Sequence, residues 1–423
     1  LQRLGLDALV PHTPSDRIDR VVLHPVAGPL LLALVLFLVF QAVFAWAAAP
    51  MDAIDAATQW LADAVQQALP PAARWGWLGS LLAHGVIAGA GGVLVFLPQI
   101  LILFLFILVL EESGYLPRAA FLLDRLMGGV GLSGRSFIPL LSSFACAVPG
   151  IMAARTIANP RDRLVTILIA PLMTCSARLP VYTLLIGAFV PAREVGGVGL
   201  QGLVLFGLYA AGIAGATAVA WLLKRLTAEG QVRTLMMELP AYHWPTLRHV
   251  ALGLWQRALI FVRRVGGVIL VMTVALWFLA SFPAPPPGAP GAPIEYSLAG
   301  TLGRALAVVF EPVGFNWQIS VALVPGMAAR EVVVSSLATV YALGGDDAAQ
   351  ALAPVIGAQW GLPTALALLA WFVFAPQCLS TLAAVRRETG GWRIVAVMVV
   401  YLFALAYGAA FVTYRSALAL GWH

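Results

Sequence analysis

The chain has 423 residues, of which 61% are hydrophobic and 10% are charged. Soluble globular domains carry about 25% charged residues, so this composition excludes an ordinary soluble protein and indicates a polytopic membrane protein. The formal net charge is +6. The basic residues lie in short loops without interleaved aromatic residues, which is a pattern of membrane topology and excludes a nucleic-acid interface.

The N-terminal segment is polar and does not have the form of a signal peptide, and residue 1 is Leu. We therefore expect residues 1–25 to be a cytoplasmic linker that follows a domain outside this sequence. A membrane-spanning helix needs about 20 apolar residues. The stretches that reach this length are 26–48, 92–110, 164–190, 200–223, 256–281, 363–385 and 394–418. Residues 51–69 mix acidic, amide and apolar residues and predict a separate amphipathic helix on the outer face.

One motif occurs twice in the chain. The stretch from Val148 to Arg155 returns, one residue shorter, from Val324 to Arg330. Both copies place Pro-Gly inside an apolar run, at Pro149-Gly150 and at Pro325-Gly326. An internal duplication with helix-breaking residues is typical of transporters whose substrate site lies between two inverted repeats near the bilayer midplane.

Charges around the two copies predict opposite orientations. Basic residues flank segment 137–154 on both sides, whereas the loops 282–300 and 342–362 around segment 316–341 contain no lysine or arginine. By the positive-inside rule, the first segment starts and ends on the cytoplasmic face and the second on the outer face. We predict re-entrant or broken helices in both; a pair of short spanning helices in each is the alternative.

The predicted fold is an all-α polytopic membrane protein with two inverted-topology repeats and about 7–8 transmembrane helices plus amphipathic helices. The predicted division has six segments: a linker (1–25), a first helix with an outer segment (26–90), repeat 1 (91–223), a cytoplasmic helical loop (224–255), repeat 2 (256–345) and C-terminal helices (346–423).

The three cysteines lie near prolines in separate apolar segments. Proline leaves a backbone carbonyl without its amide partner, and thiolate and thioether ligands favour ferrous iron, copper(I) and zinc over magnesium and calcium. The alternative is that each cysteine is buried as a small hydrophobic residue. The predicted metal-contacting residues are Cys146, Cys175, Cys378, Met152, Met173 and Glu331.

Charged residues within apolar stretches are costly unless they are paired or hydrated. Glu331 is a candidate cation ligand or gate residue, and an ion pair with Arg330 or Arg178 is the alternative. The remaining predicted gate or pore residues are Ser143, Thr174, Pro149, Gly150, Pro325, Gly326, Arg155, Arg178 and Arg330. Residues 129–136 nearly fit a phosphate-binding loop, but Arg135 replaces the lysine and no strand precedes it. We therefore predict no enzymatic nucleotide site in this chain.

Segments along nearly the whole chain resemble the membrane region of the bacterial ferrous iron transport protein B. They include Ser15–Arg20, Phe96–Ile100, Glu111–Phe121, Asn159–Arg163, Cys175–Tyr182, Ala329–Val334 and Arg386–Gly390. The resemblance implies uptake of Fe2+ across the cytoplasmic (inner) membrane between two gate units, with Cys146 and Cys175 on the iron path. The chain departs from the family at Ala145 and Ala147, where glycine and asparagine are usual, and so loses a possible oxygen ligand.

The resemblance further implies an N-terminal GTPase domain that uses GTP and Mg2+, and small cytoplasmic Feo helper proteins. The expected partners are Fe2+, the lipid bilayer and that GTPase domain, with no nucleic acid; a homo-oligomer is possible. Three alternatives remain open: a carrier of organic solutes such as nucleosides, a carrier of Mn2+ or Zn2+, and a non-transporting membrane assembly module. A solute carrier would place stacking aromatic and amide side chains at the helix breaks, where this chain has thiols, thioethers and small residues.

Overall fold

The computed structural model describes residues 14–69, 75–129, 132–195, 198–226, 241–284, 293–328, 330, 332–341, 348–376 and 378–422. These residues are almost entirely helical, apart from one two-residue antiparallel pairing of Glu194–Val195 with Val198–Gly199. The N-terminal half contains α1 (Pro14–Val22), α2 (Ala27–Ala68), α3 (Gly76–Ser80), α4 (Ala88–Val95), α5 (Leu97–Glu112), α6 (Tyr115–Gly129), α7 (Phe137–Ala145), α8 (Ala147–Ala153), α9 (Pro160–Ile169), α10 (Leu179–Phe189) and α11 (Leu200–Leu226). The C-terminal half contains α12 (Leu247–Phe261), α13 (Gly267–Ser281), α14 (Leu298–Phe310), α15 (Trp317–Ala328), α16 (Val332–Val340), α17 (Ala348–Gln359), α18 (Leu362–Phe374), α19 (Leu379–Thr389) and α20 (Trp392–Ala419).

Six helical stretches among the described residues are long and apolar enough to cross a membrane. A seventh candidate is a bent pair, Leu298–Val313 and Trp317–Met327, whose axes differ by 106°. The predicted all-α polytopic membrane fold with broken helices is therefore confirmed. The inverted relation of the two repeats stays a prediction, as does the division into six segments, in which the boundaries after 90 and 255 fall inside α4 and α12.

Helix α2 corrects one expectation. The predicted span 26–48 and the predicted amphipathic helix 51–69 form one helix of 42 residues with Pro50 in its interior. Proline removes one backbone donor and bends a helix, but the alanine-rich sequence on both sides favours helix strongly enough to continue it. At about 1.5 Å per residue the helix is roughly 63 Å long, about twice the hydrocarbon thickness of a bilayer.

Two long helices contain a π-helical segment. One segment is Leu81–Ile87, between α3 and α4 and just before the predicted start of repeat 1; the other is Val262–Gly266, between α12 and α13 in predicted repeat 2. The two helices cross where glycines remove side chains: a Cβ on Gly89 would lie 3.1 Å from Thr273, and a Cβ on Gly266 would lie 3.3 Å from Val93. Small residues at such a crossing let two membrane helices approach closely.

A buried polar cluster holds the N-terminal helix in place. The Arg118 side chain is 1% exposed and donates from Nε and Nη2 to the two carboxylate oxygens of Asp19, at 2.6 and 2.9 Å. The guanidinium lies 3.9 Å from the centre of the Tyr242 ring, and the Tyr242 hydroxyl donates to Asp19 at 3.1 Å. Burial is the main reason that the pKa of Tyr242 rises to about 12. The cluster joins α1, α6 and the segment before α12.

Candidate functional site

The first break of the site separates α7 from α8. Cys146 has extended backbone angles, φ −154° and ψ 130°, between the two short helices. Pro149 lies in the first turn of α8, where its missing amide is not needed. A Cβ on Gly150 would lie 2.0 Å from Ser143 Oγ and 2.5 Å from the Pro139 carbonyl oxygen, so only glycine fits there. The chain folds back on itself at Cys146, as a broken helix in 137–154 requires.

A second break interrupts the span that contains α9 and α10. Met173 and Cys175 have extended angles between two 3-10 turns, Ala170–Leu172 and Ser176–Arg178. Arg178 is fully buried and donates from Nη2 to the Pro171 carbonyl at 2.9 Å and from Nη1 to the Met173 carbonyl at 3.2 Å. Backbone groups inside a membrane need partners, and this arginine supplies them to the carbonyls that the break leaves without an amide.

The third break lies between α18 and α19, at Ala375 and Cys378. Arg330, which ends the second copy of the repeated motif, is 5% exposed. It donates from Nη2 to the Ala375 carbonyl at 3.2 Å and from Nη1 to the Cys175 sulfur at 3.7 Å. One side chain of repeat 2 therefore joins the second and third breaks.

The three breaks meet at one cavity of about 100 Å³, here called the central cavity. Cys146, Cys175 and Cys378 all line it, together with Met173 and Arg330. The opposite wall comes from α4, α5 and the long helix of repeat 2, and includes Gly92, Val93, Phe96, Gln99, Phe261 and Ile269. The helix breaks thus bring three thiols, far apart in the sequence, to one cavity whose lining is otherwise mainly apolar.

A second cavity, of about 200 Å³, shares Cys146 and Val148 with the central cavity. Met152 and Pro149 of α8 line it, as do Arg257, Arg387 and Glu388. Arg387 and Glu388 lie next to the basic loop that the positive-inside rule assigns to the cytoplasmic face. The two cavities form a series that runs from the centre of the bundle towards that predicted face.

Within the described residues, no three His, Cys, Asp or Glu side chains lie close enough to hold a metal ion together. The thiols share a cavity wall and not a coordination sphere. A cation here would meet one or two thiols at a time, with the Met173 thioether, the Gln99 amide or water as further ligands. Binding that is weak and divided among several positions suits conduction, since a tightly held ion would not leave.

Several other predicted residues that the structure describes line neither cavity. Ser143 is buried and donates to the Pro139 carbonyl at 2.7 Å, and Thr174 is fully buried beside Arg178, its Oγ1 lying 3.4 Å from Nη1. Pro325 and Gly326 lie inside α15. Arg155 forms an ion pair with Glu388. Glu331 lies outside the described residues.

Sequence reasoning missed several polar residues of the two cavities. Gln99, Ser380 and Thr381 line the central cavity, and Glu388 lines the second. A signal for Gln99 was present, because a Pro-Gln pair within an apolar run is an intramembrane polar residue beside a helix-breaking one. Glu388 gave no such signal, since a Glu at the end of a basic segment has the pattern of a solvated helix end.

Comparisons with known proteins agree with this architecture. A family model described as "Gate: Nucleoside recognition" matches residues 93–189 and 262–392, and one described as "Ferrous iron transport protein B C terminus" matches residues 205–257. No solved structure matches the chain.

Among curated proteins, the chain is 40% identical over 424 residues to a protein named Fe(2+) transporter FeoB from Leptospira interrogans, covering 95% of this chain and 60% of the relative. It is 39% identical over 404 residues to a Staphylococcus aureus protein of the same name, covering 95% and 59%. A Porphyromonas gingivalis protein named as a fusion of Fe(2+) transport protein A and Fe(2+) transporter FeoB is 38% identical over 453 residues, covering 95% and 51%.

The chain thus spans about 60% or less of the length of these relatives. The resemblance to the membrane region of ferrous iron transport protein B is confirmed by their similarity along almost the whole chain. Because the gate model matches more than half of its residues, the chain belongs to the gate family of membrane proteins.

Proposed function

We propose that this chain forms the path by which Fe2+ crosses the bacterial inner membrane in a ferrous iron transporter. The observation that supports this most directly is the meeting of Cys146, Cys175 and Cys378 at one cavity. Each cysteine lies at a break in a different membrane segment, and all three line the cavity where an ion would pass. Sulfur ligands select borderline and soft cations such as Fe2+ over Mg2+ and Ca2+.

The main rival is an organic solute such as a nucleoside, which the description of the gate model suggests. Phe96, Phe261 and Gln99 in the central cavity could stack on and hydrogen-bond to a base. The size of the cavity argues against this: it is about 100 Å³, whereas pockets for organic ligands are roughly 300–1,000 Å³. A space of this size fits an ion with a few waters.

We infer that the rest of the transporter acts on this path from the predicted cytoplasmic face. A GTPase domain with GTP and Mg2+ is part of the proposal, because the resemblance to ferrous iron transport protein B implies one and the relatives are longer than this chain. The fusion relative, which is named for Fe(2+) transport protein A as well as FeoB, supports a partner protein of that kind. The α1 helix, fixed to α6 by Asp19 and Arg118, is the segment through which movement of a preceding domain would reach the membrane part.

The test is anaerobic Fe2+ uptake into proteoliposomes that contain the full-length protein. The double variant Cys146→Ser, Cys175→Ser should lower the rate at least roughly tenfold, as loss of metal-site groups does elsewhere, and Met173→Leu should lower it less. Met398→Leu is the matched control, because Met398 is a thioether buried in the helix core and does not line either cavity. Mn2+ and Zn2+ added as competitors would establish the selectivity.

Two results would contradict the proposal. Unchanged Fe2+ uptake in the double cysteine variant would remove the thiols from the path. Uptake of radiolabelled nucleoside by the parent protein, with no Fe2+ uptake, would establish the organic-solute alternative.

A further inference from the structure

Helix α8 separates the two cavities. Its N-terminal end carries Cys146 and Val148, which face both cavities, and Met152 near its other end faces the second cavity. Arg155 follows two residues after the end of the helix, in a 3-10 turn. Whatever fixes Arg155 therefore fixes the element that carries the thiol shared by the two cavities.

Arg155 is fixed by Glu388 of α19. The guanidinium donates from Nε to Oε2 at 2.6 Å and from Nη2 to Oε1 at 2.5 Å. Two parallel hydrogen bonds of this kind are the strongest form of ion pair between these groups. The pair, here called the latch, joins repeat 1 to a segment 233 residues further along the chain.

The two partners of the latch have different surroundings. The Glu388 side chain is 7% exposed, whereas that of Arg155 is 51% exposed. Glu388 also lines the second cavity, while Arg155 does not. The carboxylate therefore belongs to the inside of the path, and the arginine reaches it from outside.

We propose that Glu388 is a cation-binding residue at the predicted cytoplasmic end of the path, and that Arg155 occupies it until a divalent cation displaces the guanidinium. This inference rests on the proposed function, because the cation is the one that has passed Cys146. Glu388, Met152 and Cys146 line the same cavity, which therefore offers both oxygen and sulfur ligands, a mixture that Fe2+ accepts.

The other charged side chains at the second cavity explain why release of Arg155 from Glu388 would affect a cation there. Arg257 and Arg387 line it as well. Arg257 forms an ion pair at 3.8 Å with Glu111, which does not line this cavity. While the latch is closed, Glu388 is neutralised and the cavity carries excess positive charge, which repels a cation. When Arg155 leaves, Glu388 supplies the missing negative charge and α8 loses its fixed end.

The test uses the full-length protein with Cys175→Ser and Cys378→Ser, so that Cys146 is the only thiol left in the membrane part. In inside-out vesicles, N-ethylmaleimide reports access to Cys146 from the cytoplasmic face. Arg155→Gln should raise the labelling rate severalfold, and anaerobic Fe2+ should then slow labelling. Adding Glu388→Gln should keep the fast labelling and abolish the protection by Fe2+.

Two further variants keep the result interpretable. Arg386→Gln removes a charge of the same type in α19, two residues before Glu388, where the guanidinium lies over the Trp392 ring, and should leave labelling unchanged. The exchanged pair Arg155→Glu, Glu388→Arg should restore slow labelling if the latch, and not a misfolded site, controls access.

The inference is overturned if Arg155→Gln and Arg386→Gln label at the same rate, or if Fe2+ protects Cys146 equally with and without Glu388. Failure of the proposed function would give a different pattern from either of these outcomes. If the proposed function is wrong, Fe2+ protects Cys146 in no variant, and the cysteine variants transport Fe2+ at the parent rate.

Discussion

The two copies of the Val-Pro-Gly motif end in the same residue type but place it in opposite surroundings. Arg155 of the first copy has a half-exposed side chain and pairs with a carboxylate. Arg330 of the second copy is buried and contacts a carbonyl group and a thiol. The first arginine closes one end of a cavity series, and the second holds two helix breaks together in its centre.

The difference shows how a duplicated sequence produces unequal halves. The motif itself specifies a short helix with proline and glycine, and both copies form one. The partner of the terminal arginine comes from elsewhere, Glu388 in one case and the second and third breaks in the other. Local sequence therefore determines the helix, and the distant segments determine the role of its arginine.

Replacing the two arginines should separate these roles most strongly. Arg330→Leu leaves the Ala375 carbonyl without a partner in a buried site and should lower the free energy of unfolding by on the order of 3 kcal/mol. Arg155→Leu should lower the free energy of unfolding by less than Arg330→Leu does, because Glu388 lines a cavity that admits water. Thermal unfolding in detergent, followed by tryptophan fluorescence, measures both. Equal losses would show that the two arginines have equivalent surroundings.

The glycines of the two copies give a second, smaller contrast. A Cβ on Gly150 would meet backbone, the Pro139 carbonyl oxygen at 2.5 Å, whereas a Cβ on Gly326 would meet mainly the side chain of Val333, at 2.2 Å. A backbone atom cannot move aside as a side-chain methyl group can. Gly150→Ala should therefore lower the free energy of unfolding by about 1–3 kcal/mol, and Gly326→Ala should lower it by less. The same unfolding assay ranks them, and the reverse order would refute the proposed packing of α8 on α7.

The smallest effect is expected from lysine substitutions. Arg155→Lys keeps a charge beside Glu388 and should change the free energy of unfolding by less than about 1 kcal/mol, because the substituted side chain is half-exposed. Arg330→Lys cannot reach the Ala375 carbonyl and the Cys175 sulfur at once, because a single ammonium lacks the fork of a guanidinium. It should therefore lower Fe2+ uptake while Arg155→Lys does not. Parallel Fe2+ uptake assays on the two lysine variants test this difference, with Arg386→Lys as the control. Equal uptake by the Arg155→Lys and Arg330→Lys variants would count against a bridging role for Arg330.

Much of the architecture could be predicted from the sequence, because apolar length and helix-breaking residues are local signals. The spans 200–223 and 394–418 correspond to α11 and α20, and the Pro-Gly copies marked the broken segments. Helix α2 could not be predicted as one element, since proline is a weak stop signal when the residues around it favour helix strongly. The N-terminal ends of the long helices with π-helical segments were also missed, because the predicted spans start at 92 and 256, whereas these helices start at Gly76 and Leu247.

The sequence by itself determined that this is a polytopic helical membrane protein with a duplicated, proline-broken core and thiols near the breaks. Only the tertiary structure decided that Cys146, Cys175 and Cys378 face one cavity, that Arg178 and Arg330 satisfy the carbonyls freed by the breaks, and that Glu388 faces the second cavity. The physical reason is the range of the interactions. Hydropathy and helix breaking act over a few residues, whereas a cavity and its charge balance depend on side chains that meet only after segments more than 200 residues apart have packed together.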